Sequence, residues 1–276
     1  MSEIKTADIA KLRKLTGAGM MDCKKALEES NGDIEKAIEL IRERGKAIAN
    51  KRADREAGEG AALAAITADG KKGAIVVLNC ETDFVAKNQD FVGLTTNILN
   101  AALANQPADI ESLKAIKIDG RPIGDLVMDQ SGITGEKFEL SYYEKLEGEK
   151  VVAYIHPGNK LATIVAFNKG GFDDQVGKDV AMQVAAMSPV AVDVDDVPEK
   201  IRQQEFEIGR EQARLEGKPE NMLDKIAQGK LQKFYKESTL MNQDFIKDGK
   251  MSVKDYLKSI ASDLKVIGFK RVSLNA

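Results

Sequence analysis

The residues best suited to chemistry fall in one stretch, Leu78-Asn79-Cys80-Glu81-Thr82-Asp83-Phe84-Val85-Ala86-Lys87. Just before it, Ile75, Val76, Val77 and Leu78 form a continuous apolar run, which suits a strand buried on both faces and delivers the chain into Glu81-Thr82-Asp83. Two readings of the turn stay open. In one it is an ordinary capped strand-to-helix connection with Phe84 tucked into the core. In the other, an acid beside an aromatic on a rigid turn forms a small wedge that enters a partner and displaces a cation or a side chain there.

Elsewhere the residue types exclude more than they offer. His156 is the single histidine and sits in a Tyr-Ile-His-Pro-Gly turn with no nearby acid, so Ser-His-Asp chemistry has no support, and no G-x-S-x-G occurs. Cys23 and Cys80 are far apart in apolar surroundings, the pattern of reduced core residues. A metal site would therefore need carboxylates, and no clustered acidic loop with glycine at the right step is present, so no metal is expected. No G-x-x-x-x-G-K-S/T phosphate loop occurs. Gly17-Ala18-Gly19 opens like a dinucleotide fingerprint, but Asp22 stands where the third small residue belongs and a helix precedes it. No cofactor follows from these residues.

The frame that carries them is a soluble globular chain. Its 276 residues are 43% hydrophobic and 31% charged, enough for a sizeable core without disulfides. Lys and Arg total 41 against 44 Asp and Glu, a net charge of −3 that gives no broad positive field for a nucleic-acid backbone. The first residues, MSEIKTADIAK, contain no apolar signal region, and no later run approaches membrane-spanning length. The expected location is the cytoplasm, with no membrane and no nucleic acid among the partners.

Residues 6–45 read as three short helices. Thr6 is placed to cap the first, whose Ile9, Leu12 and Leu15 step by three before the Gly17-Ala18-Gly19 break. The second carries Cys23, Ala26 and Leu27 and stops at Asn31-Gly32, and Asp33 starts the third, which repeats Ile34, Ala37, Ile38 and Ile41 up to Gly45. Residues 46–60 are charged and Ala-rich and read as a partly helical linker. Strands over 61–67 and 74–80 flank the Asp69-Gly70 turn, a helix spans 89–105, and further strands cover 138–145, 150–156 and 161–168. Helical patterning returns over 174–186. In 199–216 the aliphatics Ile201, Ile208 and Leu215 recur every seven residues amid charge, a stripe too narrow for a broad core. A second helix follows Gly217-Lys218-Pro219, making a helical hairpin that either projects from the body or packs on its own domain. Val253, Tyr256, Leu257, Ile260 and Leu264 mark a last helix before a strand at 265–273.

Two long motifs, Leu12-Arg13-Lys14-Leu15-Thr16-Gly17-Ala18-Gly19-Met20-Met21-Asp22-Cys23-Lys24-Lys25-Ala26-Leu27 and Glu81-Thr82-Asp83-Phe84-Val85-Ala86-Lys87, closely resemble the signatures of bacterial elongation factor Ts. Val180-Ala181-Met182-Gln183-Val184-Ala185-Ala186, Gly217-Lys218-Pro219-Glu220-Asn221 and Lys230-Leu231-Gln232-Lys233-Phe234 also look like that family, in its order. The resemblance implies an α+β protein with an N-terminal three-helix domain similar to ubiquitin-associated domains (1–55), a core with antiparallel sheets whose first half is 56–140 and second half 141–190 with 237–276, and a projecting helical hairpin (191–236). It further implies a non-enzymatic guanine nucleotide exchange factor that binds GDP-bound and nucleotide-free elongation factor Tu. Leu12 would lie in the contact, and Asp83, Phe84 and Val85 in the motif that presses on the partner's magnesium and phosphate site. Ile133, His156, Leu240 and Met241 match further contacts. The hairpin resembles a dimerisation module, with Ile201, Ile208 and Leu215 as its seam. Longer members carry a C-terminal helical module after the last core strand, so its contacts are not carried over to a chain that stops at Leu274-Asn275-Ala276.

Against this stands a protein-binding or chaperone-like adaptor, built on the same three-helix domain and hairpin. An enzyme acting through His156 has no nucleophile or base to work with. With no phosphate loop, the isolated chain should show no saturable GTP or GDP binding at micromolar concentration in equilibrium dialysis. Saturable binding would count against an exchange factor.

Overall fold

Gly17 sits at φ 72°, a left-handed conformation that costs glycine little, and its N–H closes on the Arg13 carbonyl at 2.8 Å, ending helix α1 (Thr6–Thr16). The computed structural model describes residues 4–274. Helix α2 (Met20–Glu29) follows, and Asp33 then caps α3 (Ile34–Lys51) by accepting the Lys36 N–H at 3.1 Å. Leu12, Cys23, Ala26, Leu27 and Ala37 are the buried centre of these helices. Two details correct the sequence reading. Thr6 lies inside the first turn, with Lys5 in the capping place and no side-chain cap bond. Helix α3 also runs through Gly45 to Lys51, taking in the first part of what read as linker.

Strands β1 (Glu59–Ile66) and β2 (Lys72–Cys80) meet across the Asp69-Gly70 turn, where the Thr67 N–H donates to the Lys72 carbonyl at 2.9 Å. β2 is buried continuously from Gly73 to Cys80, as its apolar run requires. The single turn α4 (Asp83–Ala86) leads into α5 (Gln89–Asn105), which Asn88 caps by accepting the Asp90 N–H at 2.8 Å. On α5, Thr95 and Leu99 join Phe91, Ile98 and Ala102 in the core, and Phe91 meets Phe138 edge-on at 5.2 Å between centroids.

The sequence offered no assignment for the next stretch, which forms α6 (Ile110–Ala115), the two-residue strands β3 (Lys117–Ile118) and β4 (Arg121–Pro122), and α7 (Ile123–Thr134). Helices α3 and α7 cross at paired glycines: a Cβ on Gly132 would overlap the Gly45 Cα. Gly45 is therefore a point of close approach, and the helix passes through it.

The remaining elements are β5 (Glu139–Glu147), β6 (Lys150–Ile155), β7 (Leu161–Phe167), α8 (Asp174–Met187), α9 (Glu199–Leu215), α10 (Leu223–Ser238), β8 (Asp244–Phe245), β9 (Asp248–Ser252), α11 (Val253–Ile260) and β10 (Val266–Ser273). Two three-stranded sheets have the orders β1-β2-β5 and β10-β7-β6, the latter with both pairings antiparallel. The architecture is α+β. Two compact units divide the chain, one holding the residues up to Leu63 with Val76–Glu144, the other Ala64–Ile75 with Lys145–Ser273. The second unit centres on Val165, Phe167, Val180, Val184, Leu240 and Leu257.

Helices α9 and α10 pack on each other through small residues. Gly209 and Ala213 are the buried positions of α9, and a Cβ on Gly209 would lie 3.4 Å from the Ala227 Cα. Ile208 and Leu215 stay 40% and 80% exposed, whereas Ile201 packs against the small cluster of Ala191, Val197, Leu231 and Tyr235. The seven-residue spacing thus marks two exposed positions and one structural one. Among the described residues, no helix is long and apolar enough to cross a membrane.

Two glycine substitutions should move stability in opposite directions. Gly132→Ala forces α3 and α7 apart and should cost about 1–3 kcal/mol. Gly229→Ala, in α10 with nothing within 4 Å of the added carbon, should gain up to about 1 kcal/mol from helix propensity. Urea titrations measure both, and equal responses would contradict the close helix crossing.

Candidate functional site

The turn after β2 is held by two carboxylates that exchange places across it. Helix α7 ends at Gly135 in the left-handed region (φ 73°), which turns the chain and presents Glu136. Glu136 Oε2 accepts the N–H of Glu81 at 3.2 Å and of Thr82 at 3.1 Å, and its Oε1 accepts the Thr82 hydroxyl at 2.6 Å. In return Glu81 Oε1 accepts the Lys137 N–H at 2.7 Å. Arg52 and Arg55, at and beyond the end of α3, complete the arrangement with Nη1 atoms 3.2 and 3.0 Å from the two Glu81 oxygens. Charge-assisted bonds of this kind are the stronger class, and here they converge on two consecutive residues.

Beyond this brace the chain makes one helical turn. Thr82 caps it, its hydroxyl accepting the Val85 N–H at 3.4 Å while donating to Glu136. Asp83 is the first helical residue and pairs with Lys87 Nζ at 2.7 Å. Phe84 is 83% exposed, the highest value among the exposed large apolar side chains of the described residues. The reading that tucks Phe84 into the core is therefore wrong: Ala86 fills that role. An exposed aromatic on a turn fixed by its neighbours loses little conformational freedom when a partner covers it.

The electrostatics follow the bonding. Partial burial pushes the Glu81 carboxyl up, but the Lys137 N–H and then Arg55 and Arg52 outweigh it and hold the group below its ordinary value of 4.5. The stabilisation this gives is complete above that ordinary value and is lost only as pH falls through the lower folded one. Hydrogen bonding to Asp83 holds the Lys87 ammonium above its usual range. Burial, reinforced by Glu136, pushes the Cys80 thiol up to about 12, so it stays a neutral thiol at pH 7 while contacting the Thr82 carbonyl at 3.2 Å.

The other residues singled out from sequence are placed as follows. Val85 is half-buried beneath Phe84's turn. Ile133 lines a cleft of about 130 Å³ with Leu15, Ala18, Ile38, Ile41 and Ile48, and its side chain lies against Gly17. Leu15, Met20 and Met21 are 59%, 57% and 64% exposed on the same three-helix segment. His156 is exposed at the end of β6 with Nδ1 2.9 Å from the Tyr154 hydroxyl. Leu12, Leu240 and Met241 are buried in the free chain, with 0%, 0% and 5% exposure. Their side chains pack in the hydrophobic clusters of the chain itself. Glu136, Arg52 and Arg55 escaped the sequence reading. Glu81 meets Arg52 and Arg55 across 29 and 26 residues, so no local spacing reveals them.

With this geometry established, comparison with known proteins decides the family. The family profile described as Elongation factor TS matches residues 81–276. The chain belongs to the elongation factor Ts family. It is 57% identical over 270 residues to elongation factor Ts of Porphyromonas gingivalis, covering 98% of this chain and 97% of the relative. Elongation factor Ts of Amoebophilus asiaticus is 54% identical over 275 residues, with 99% of both chains covered. That of Parabacteroides distasonis is 42% identical, with 98% of each covered. Membership of this family carries a role in translation elongation.

Exposure makes a direct forecast for stability. Phe84→Ala should change the folding free energy by no more than about 0.5 kcal/mol, the range of ordinary surface changes. Leu12→Ala should cost about 2–5 kcal/mol as a core truncation. Urea unfolding measures both, and a large loss for Phe84→Ala would return that residue to the core.

Proposed function

We propose that the chain is a guanine nucleotide exchange factor that promotes GDP release from elongation factor Tu, with the Asp83-Phe84 turn as the element that enters the GTPase's nucleotide region. The observation that carries this reading is the exposed Phe84 on a turn pinned by charged hydrogen bonds, in a chain of the elongation factor Ts family. Such a protein makes and breaks no covalent bond. It acts by linkage: a ligand that prefers the nucleotide-free conformation of the GTPase must weaken nucleotide affinity by the same factor with which nucleotide weakens its own.

Within that scheme Phe84 supplies volume and Asp83 supplies charge. The aromatic ring displaces packing around the phosphate and magnesium site, and the carboxylate, released from Lys87, competes with the ligands of the cation. The exposed Leu15, Met20 and Met21, with the cleft that contains Ile133, offer a second apolar contact to the same partner. Exposed His156 at the tip of β6 serves a third, and the cytoplasm is the setting. Self-association through the exposed Ile208 and Leu215 is compatible with this role but is not needed for it.

Elongation factor Tu loaded with a fluorescent GDP analogue tests the proposal. Substoichiometric amounts of the chain should accelerate release over many turnovers, and Phe84→Ala should slow the accelerated release by at least roughly tenfold, since aromatic anchors commonly carry about 2 kcal/mol or more. Asp83→Ala should give a smaller defect. Release at the intrinsic rate in the presence of the unmodified chain would overturn the proposal.

A further inference from the structure

The wedge does not hold itself. A single helical turn, α4, is far too short to be stable alone, and Phe84 contributes almost nothing to the core that could fix it. What fixes the approach to it is Glu136, a residue 54 positions away from Thr82, which takes three donors from Glu81 and Thr82 on its two oxygens. The Glu81 side chain makes the reciprocal bond to the Lys137 N–H and gathers Arg52 and Arg55. Glu81 is only 17% exposed, so these bonds are shielded from water more than those of a surface ion pair.

We infer that Glu136 is the positioning residue of the wedge, with Glu81 as its counterpart, so that its loss reduces nucleotide exchange by letting Phe84 drift, although Glu136 itself need not touch the GTPase. This inference rests on the reading of Phe84 as the exchange element. The physical reason is that removing the carboxylate leaves two N–H groups and a hydroxyl without their acceptor at once, and the Thr82 cap loses the bond that orients it. A displacement of the order of an ångström at an inserting group can cost up to about a hundredfold in rate. Water can satisfy the freed donors, so a loss of about tenfold is the expected size.

The test is a double-mutant cycle in GDP release from elongation factor Tu, using the full chain, with Glu136→Ala, Phe84→Ala and the combined variant. Thermal melting confirms that each is folded, and hydrogen exchange on the free protein reads the Thr82 amide. Glu136→Ala should slow release about tenfold and lose protection at Thr82, while the combined variant should be no slower than Phe84→Ala alone, because a support has nothing to position once the ring is gone. Glu136→Gln keeps one acceptor oxygen and should recover part of the rate, and it replaces the alanine variant if that one unfolds. Glu111→Ala, a change of an exposed carboxylate on α6 that pairs with Lys114 and not with the turn, should leave release unchanged. Normal release by Glu136→Ala beside slow release by Phe84→Ala would overturn the positioning role and leave the wedge standing. Fully additive losses would also overturn it, by showing that Glu136 acts without Phe84. Normal release by Phe84→Ala would remove the wedge itself, and the positioning role with it.

Discussion

A strand buried on both faces has to leave its sheet at a definite residue, because backbone groups beyond the sheet need new partners at once. β2 leaves at Cys80, and the next two N–H groups go to one carboxylate, Glu136. Much of the site's geometry depends on that transfer. It ends the strand, orients Thr82 as a cap, and sets the one-turn helix so that Ala86 faces inward and Phe84 outward. The apolar burial of β2 supplies the rigidity, and the charged bonds supply the direction.

The supporting elements can be understood as what is needed to bring that carboxylate and its counterparts to the turn. Helix α7 must end close to the end of β2, and Gly135 ends it there with Glu136 as the next residue. Helix α3 must pass close to α7, which the Gly45 and Gly132 backbones permit and larger residues would prevent. Arg52 then stands within reach of Glu81, and Arg55 follows from the turn beyond the helix. The Lys137 ammonium adds a bond to the Arg55 carbonyl at 3.1 Å, tying the end of that segment to the strand that follows α7. The three-helix segment and the exposed aromatic are thus linked by a short, continuous set of bonds within one unit.

Much of this was legible in the sequence wherever the signal was local. Helix α5 runs over the same residues, 89–105, that its pattern marked, because Asn88 caps it within two residues, and β2 was marked by its uninterrupted aliphatics. The helix stops at Gly17 and at Asn31-Gly32 were legible because positive φ is a property of the residues themselves. Gly45 misled because glycine also serves where two helices touch, which depends on a partner helix far away in sequence. The stretch from α6 to α7 was silent because α6, β3 and β4 are short and α7 carries two glycines, Gly124 and Gly132, that interrupt its apolar pattern. At the site, the motif located the turn, but not whether Phe84 faces inward or outward, since both fit the same spacing. Leu12, Leu240 and Met241 lie in regions that the motifs mark, and their burial depends on packing that no motif spacing shows.

Everything proposed for the turn depends on whether Phe84 reaches the nucleotide region of the GTPase. Photo-crosslinking tests it most directly, with p-benzoylphenylalanine incorporated at position 84 and the chain mixed with nucleotide-free elongation factor Tu. The expected result is a crosslink to the residues that surround the phosphates and magnesium, suppressed by excess GDP with magnesium. A crosslink to a surface remote from the nucleotide, or one that excess GDP leaves unchanged, would contradict it.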